Sequence, residues 1–336
     1  MAVLALLWGS GFLWTAIALR HGLSPLQITV LRSASGAAVL LLLARSARRR
    51  LPRGAALWRR LFVAAFLCNT LPFFLTAVGV RSVGSGLAGV LNATTPLWSL
   101  LIGLVLGTER GGHPLRLGGL VLGFAGVLLI FSPWQGGPPG SGVPDGGAFG
   151  WGVLALLGAA AGYAVAFTYM RRVLTDTGTD PLALSAAQLS AAAGLSLLAL
   201  PAPGGTAAGF DVTALVAVTV LGVFSTGLTF HLNYRVIAIE GVTAAATVGY
   251  LLPVVSTVLG AIVLDEPLSL RTVAGMIVVL AGVFLTRYHG ARPARPTPPV
   301  PTPAQPVPSP PTPALPRPPL PSPAAAGPGH HRTNGP

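Results

Sequence analysis

The chain has 336 residues, of which 52% are hydrophobic and only 9% charged, and its formal net charge is +13. A soluble domain carries about 25% charged residues, so this composition excludes a water-soluble globular fold and makes lipid the solvent for most of the chain. The basic excess does not indicate nucleic-acid binding either: the cations are all arginine, and only Trp58 sits among them, whereas a nucleic-acid groove interleaves cations with aromatics.

A helix that crosses ~30 Å of hydrocarbon needs about 20 apolar residues. Ten such segments are predicted, near 2–19, 25–44, 60–80, 84–107, 116–132, 148–170, 182–201, 212–234, 241–264 and 272–288. They are too long and too continuously apolar for barrel strands, which alternate. The expected fold class is therefore an all-α membrane protein of ten transmembrane helices.

The first apolar run opens at Met1 with no basic stretch before it, so it is read as a span and not as a secretory signal. It carries "WGSGFLW" from Trp8. The second holds Arg32 about two turns inside its outer end. Between the second and third spans, "RSARRRLPRGAALWRR" concentrates seven arginines. Further arginines at 110, 116, 171, 172, 235, 287, 292 and 295 fall on the same side, and only Arg20, Arg81 and Arg271 fall on the other. The positive-inside rule then places both termini in the cytoplasm, with loops 21–24, 81–83, 132–147, 202–211 and 265–271 outside. A multi-pass protein of the plasma (inner) membrane is expected.

The fourth span reads "TTPLWSLLIGLVLGTER" over 94–110, and the ninth reads "LLPVVSTVLGAIVLDEP" over 251–267. At an offset of 157, Gly84 meets Gly241, Pro96 meets Pro253, Ser99 meets Ser256 and Glu109 meets Glu266; at 156, Pro25 meets Pro181, Arg32 meets Gln188 and Gly119 meets Gly275. This is an internal duplication. Each unit has an odd number of spans, so the second copy enters from the opposite side, a plan recurrent in secondary transporters. The expected organisation is a first repeat at 1–132, a Gly/Pro linker at 133–147 ("PWQGGPPGSGVPDGG"), a second repeat at 148–290 and a tail at 291–336. That tail, with 18 prolines in 46 residues, cannot bury a core and is expected to be disordered.

Chemistry-bearing residues inside the spans are few. Pro96 and Pro253 each remove a helix donor and free a carbonyl, that of Asn92 or Gly249, and freed carbonyls at membrane depth need protein or water. A cavity beside the fourth and ninth spans is expected. Arg32 costs at least ~2.5 kcal/mol in the bilayer unless partnered, so it faces protein, either in an inter-helix hydrogen bond or on a substrate; Gln188 is its counterpart. Trp8, Asn92, Tyr163, His231 and Tyr250 complete the cavity candidates. Glu109 and Glu266 end their spans at opposite faces, as interfacial stops or as gates. Cys68 is the only cysteine and the histidines are scattered, so no metal site or cofactor is expected. No set of acid, base and nucleophile gathers at one depth, which argues against an enzyme.

"WGSGF" at 8–12, Arg32, "GTE" ending at Glu109 with "LGGLVLGFAGVLLI" after it, and "LTFHLNYRVIAIEGVTAA…LLPVVSTVLGAIVLDEP…AGMIVVLAGVFL" together resemble the drug/metabolite transporter superfamily, in particular its EamA-type members. The likeness covers about 1–288. It implies a ten-helix fold of two EamA-like repeats, a central cavity and alternating-access movement of a small molecule, often export of amino acids or related compounds. A nucleoside, drug or nucleotide-sugar carrier of the same superfamily, or a non-transporting membrane scaffold or sensor, is the alternative. The expected partners are that solute and the lipid bilayer; a homodimer stays open.

Overall fold

The computed structural model describes residues 2–106, 114–131, 146–174, 179–200, 211–232 and 242–288. Among them the secondary structure is helical and no strand occurs. The helices are α1 (Ala2–Arg20), α2 (Pro25–Ser46), α3 (Ala55–Val83), α4 (Ser85–Val105), α5 (Pro114–Phe131), α6 (Gly146–Val173), α7 (Pro181–Leu198), α8 (Val212–Leu232), α9 (Val242–Leu264) and α10 (Leu270–Tyr288). Seven are long and apolar enough to cross a membrane, and α5, α9 and α10 contribute shorter apolar stretches at Leu117–Leu129, Leu251–Leu264 and Leu270–Leu285. The expected tail lies outside the described residues.

Local sequence sets the helix starts. Ser24 and Gln27 form a reciprocal capping box ahead of Pro25, the first residue of α2, where a missing backbone donor costs nothing. Asp180 accepts from the Leu182 and Ala183 amides at the start of α7, and Asp211 from the Thr213 amide at the start of α8.

Two helices change pitch at corresponding places. α3 passes through a π-helical turn at Phe66–Thr70, and α8 through one at Val223–Leu228, so the two turns start 157 residues apart. A π turn rotates the side chains that follow it and is frequent at functional sites. Each turn also holds the partner of a buried polar residue on another helix. Thr226 accepts from Arg32 of α2 at 2.8 Å, and Asn69 accepts from Gln188 of α7 at 2.8 Å. Each pair joins one half of the sequence to the other.

The two prolines behave differently. α4 breaks at Ala93–Thr94, so that Pro96 lies in the first turn of its second segment, Thr95–Val105. α9 runs through Pro253 without interruption. Flanking residues supply the reason. The hydroxyls of Thr94 and Thr95 donate to the carbonyls of Leu91 and Asn92 at 2.6 and 2.7 Å, satisfying acceptors that the break exposes. Pro253 is preceded by two leucines, which offer no such donors.

Packing follows membrane rules. Trp151, Ile262 and Ile277 are more than half exposed, as a lipid-facing surface requires. Inside, one cluster joins Phe12 of α1, Leu91 of α4, Leu156 of α6, Leu264 of α9 and Val279 of α10. α5 and α10 cross with backbones almost touching: a Cβ placed on Gly282 would lie 2.4 Å from the Gly123 nitrogen, and one on Gly126 2.7 Å from the Val279 nitrogen. Small residues allow this approach where dispersion has to drive helix association.

Contacts between the connecting segments fall into two sets. At one end, Arg20 donates to the Leu264 carbonyl at 3.2 Å, His21 pairs with Asp211, and Glu266 meets the start of α4. At the other, Arg49 pairs with Asp180 at 3.3 Å and Tyr169 donates to the Arg60 carbonyl. This sorting is what alternate crossings from α1 onward produce.

Candidate functional site

A pocket opens among five helices. Its lining is Trp8, Gly11 and Phe12 of α1, Arg32 of α2, Thr76 of α3, Asn92 of α4 and Tyr163 of α6, and the space a water-sized sphere can occupy in it is about 20 Å³. That is room for about one water, far short of the ~300–1,000 Å³ of small-molecule clefts, so the pocket has to widen before it holds a solute. Arg32 is seven residues from the start of α2, or ~10 Å at 1.5 Å per residue, so the pocket sits well inside the bundle.

Arg32 is the electrostatic centre of the pocket. It is 9% exposed; its Nε donates to Thr226 Oγ1 at 2.8 Å, and its guanidinium carbon lies 3.8 Å from the centre of the Phe73 ring. Thr226 Oγ1 in turn donates to the Leu221 carbonyl at 3.0 Å, which aims its lone pair at Arg32. A guanidinium has five N–H donors, and Nε uses one. Among the described residues nothing accepts from the other four, and the carboxylates there, Asp180, Asp211, Asp265 and Glu266, all lie outside the helices. The two amino groups therefore present uncompensated positive charge to the pocket. Trp8, Phe12 and Tyr163 supply its aromatic walls.

Of the candidates read from sequence, Trp8, Arg32, Asn92 and Tyr163 come together here. Gln188 is buried away from the pocket lining on Asn69. Pro96 is half-buried past the α4 break, Pro253 is buried within α9, and His231 is half-buried near the described end of α8. Tyr250 belongs to α9, but its side chain, like the whole of Glu109, lies outside the described residues. Phe73, Thr76 and Thr226 were missed. Phe73 and Thr76 are ordinary residues given a role by packing, whereas Thr226 had a signal: it stands 157 residues after Asn69, at the repeat offset. Among the described residues no three His, Cys, Asp or Glu side chains converge to hold a metal.

Glu266 occupies one end of the bundle. Its two oxygens accept from the Ser85 amide at 2.7 Å and the Gly86 amide at 2.9 Å, the first N–H groups of α4. Asp265 adopts a left-handed conformation (φ 52°) and turns the chain so that the Glu266 amide reaches the Gly260 carbonyl. Glycines flank the carboxylate: Gly84 has φ 85°, which strains any other residue, and a Cβ on Gly260 would lie 2.6 Å from Glu266 Oε2 and displace it. A carboxylate just beyond the end of α9 thus caps α4 and neutralises its positive dipole end.

A family profile described as the EamA-like transporter family matches residues 1–132 and 150–288. The chain belongs to the EamA-like transporter family. It is 25% identical over 287 residues to an uncharacterised transporter, YvbV, of Bacillus subtilis, covering 85% of this chain and 89% of that one. An inner membrane transporter of Escherichia coli K12, YedA, is 25% identical over 304 residues, covering 87% and 91%. A solved crystal structure superposes with a TM-score of 0.58 at 20% identity over 85% of this chain and 94% of that one, which shows the shared fold. The protein is a multi-pass membrane transporter of this family and not an enzyme.

Proposed function

We propose that the protein is a secondary carrier that exports a small metabolite, an amino acid or a related compound, by alternating access across the plasma (inner) membrane. Its plan is ten helices in two inverted repeats, 1–132 and 148–290, joined by the linker 133–147, with both termini cytoplasmic and the proline-rich segment 291–336 as a solvated tail. One observation carries the reading: a pocket well inside the bundle, lined from five helices and centred on a buried arginine without a counter-ion. The crosswise pairs Arg32–Thr226 and Gln188–Asn69, each seated on a π turn, support the inverted plan. They tie the halves together at equivalent positions, where repeats rock against each other in such carriers. The break before Pro96 supplies one hinge, and Glu266 on the start of α4 supplies a gate at the outer face.

The test is reconstitution of the full chain in vesicles, with a counterflow screen of amino acids, nucleosides and cationic drugs. Saturable exchange of at least one solute is expected. Vesicles that move none of them, with correctly inserted protein, overturn the carrier reading in favour of a membrane scaffold.

A further inference from the structure

We propose that Arg32 is the recognition residue for a singly charged carboxylate, so that the substrate is an organic monoanion or the carboxylate end of a zwitterion. The assignment rests on the carrier reading above and names its substrate class. A guanidinium withdrawn from water needs an acceptor for its donors and a negative charge nearby. Arg32 has one hydroxyl and one aromatic face, both neutral. The missing component is an anion, and the donors left over are the two amino groups, the edge that binds a carboxylate in parallel, two-bond fashion. The Nε bond to Thr226 holds the fork in place before the substrate arrives.

Charge counting selects the kind of anion. The pocket lining contains a single cation and no acid, so one negative charge is balanced; a phosphate dianion would bring a second into a low-dielectric site with nothing to meet it. The remaining lining suits the body of such an acid once the helices part to admit it. Trp8, Phe12 and Tyr163 offer apolar faces, while Asn92 and Thr76 offer neutral polar groups. An ammonium group could rest on the aromatic faces or the Asn92 amide oxygen, but no carboxylate there selects for it.

The experiment compares acids with their own amides, so that shape is held constant while the negative charge is removed. Thermal unfolding of the detergent-purified full chain is measured at pH 7 with benzoate and benzamide, lactate and lactamide, phenylalanine and phenylalaninamide, leucine and leucinamide, and with the dianions succinate and fumarate. At least one monocarboxylate is expected to stabilise the protein where its amide and the dianions do not. The apparent Kd for that acid should rise at least tenfold in Arg32→Gln, the loss expected of a charged hydrogen bond, and by less in Arg32→Lys, which keeps the charge but not the fork. Arg45→Gln, on the exposed end of α2, should leave it unchanged. Equal stabilisation by acid and amide, or preference for a dianion, overturns the assignment and leaves the carrier reading standing. Stabilisation by none of the acids overturns it too, whereas the carrier reading falls only if vesicles move no solute. The acid-to-amide comparison is made on the wild-type chain, so it decides even if Arg32→Gln does not fold.

Discussion

Glu266→Gln tests whether the carboxylate on α4 is a gate. Glu266 accepts from two amides at 2.7 and 2.9 Å, and a hydrogen bond to a charged group contributes ~1.5–3 kcal/mol. Because Glu266 is partly exposed, solvent screening roughly halves the sum to about 1.5–3 kcal/mol. Glutamine keeps one neutral acceptor, worth ~1 kcal/mol, and turns an NH2 group toward the second amide. The net loss is therefore ~1 kcal/mol, or about a fivefold shift of the closed-to-open equilibrium at this end. Insertion should be unaffected, since the residue lies beyond the end of α9. The assay is labelling of Thr76→Cys, in the pocket, by an impermeant maleimide in a Cys68→Ala background. Applied from the outer side, the reagent should react about fivefold faster in the Glu266→Gln protein. An unchanged rate refutes the gate and leaves Glu266 as a static cap; acceleration only from the cytoplasmic side refutes the assigned orientation.

Three other outcomes are expected. Gly282→Ala places a methyl against the backbone of Gly123, which cannot yield as a side chain would; it should destabilise by ~1–3 kcal/mol, read as a fall in the thermal midpoint, whereas Gly118→Ala, with open space around it, should not. Pro253→Ala gives α9 back a hydrogen bond and should stabilise the protein while slowing turnover, but Pro96→Ala, already in a first turn, should change stability less. Asp211 lies at an exposed loop, where the Thr213 amide first and His21 second hold its carboxyl below the usual carboxylate range. Its folded pKa is lower than its unfolded one, so its contribution is complete above the unfolded value and fades as pH falls through the folded one. The difference in thermal midpoint between wild type and Asp211→Asn should shrink on acidification from pH 6 toward 3; a constant difference would show that His21 and Asp211 do not couple to folding.

Composition and periodicity alone carried much of the architecture. Apolar runs of span length, separated by Gly, Pro and arginine-rich loops, leave a chain in lipid no alternative to helices, because every backbone group has to be satisfied within its own segment. The duplicated "P…E" pattern was legible because proline and glutamate are rare in such runs, and Arg32 stood out because burying an arginine in a span is costly enough to demand a reason. Position along the chain could not say which polar residues would meet. Whether Arg32 would find a carboxylate, Gln188 or solvent depended on the π turns of α3 and α8, whose changed pitch aims Thr226 at Arg32 and Asn69 at Gln188. Likewise, two prolines at matching repeat positions gave one broken helix and one continuous helix, because only Thr94 and Thr95 could satisfy the carbonyls freed by a break. Sequence by itself therefore determined the solvent, the helices, the repeat and the residues that had to be explained. The tertiary structure decided which of them share a pocket and which are already paired, since hydrogen bonds between residues more than 100 positions apart depend on helix rotation and crossing, which no local pattern encodes.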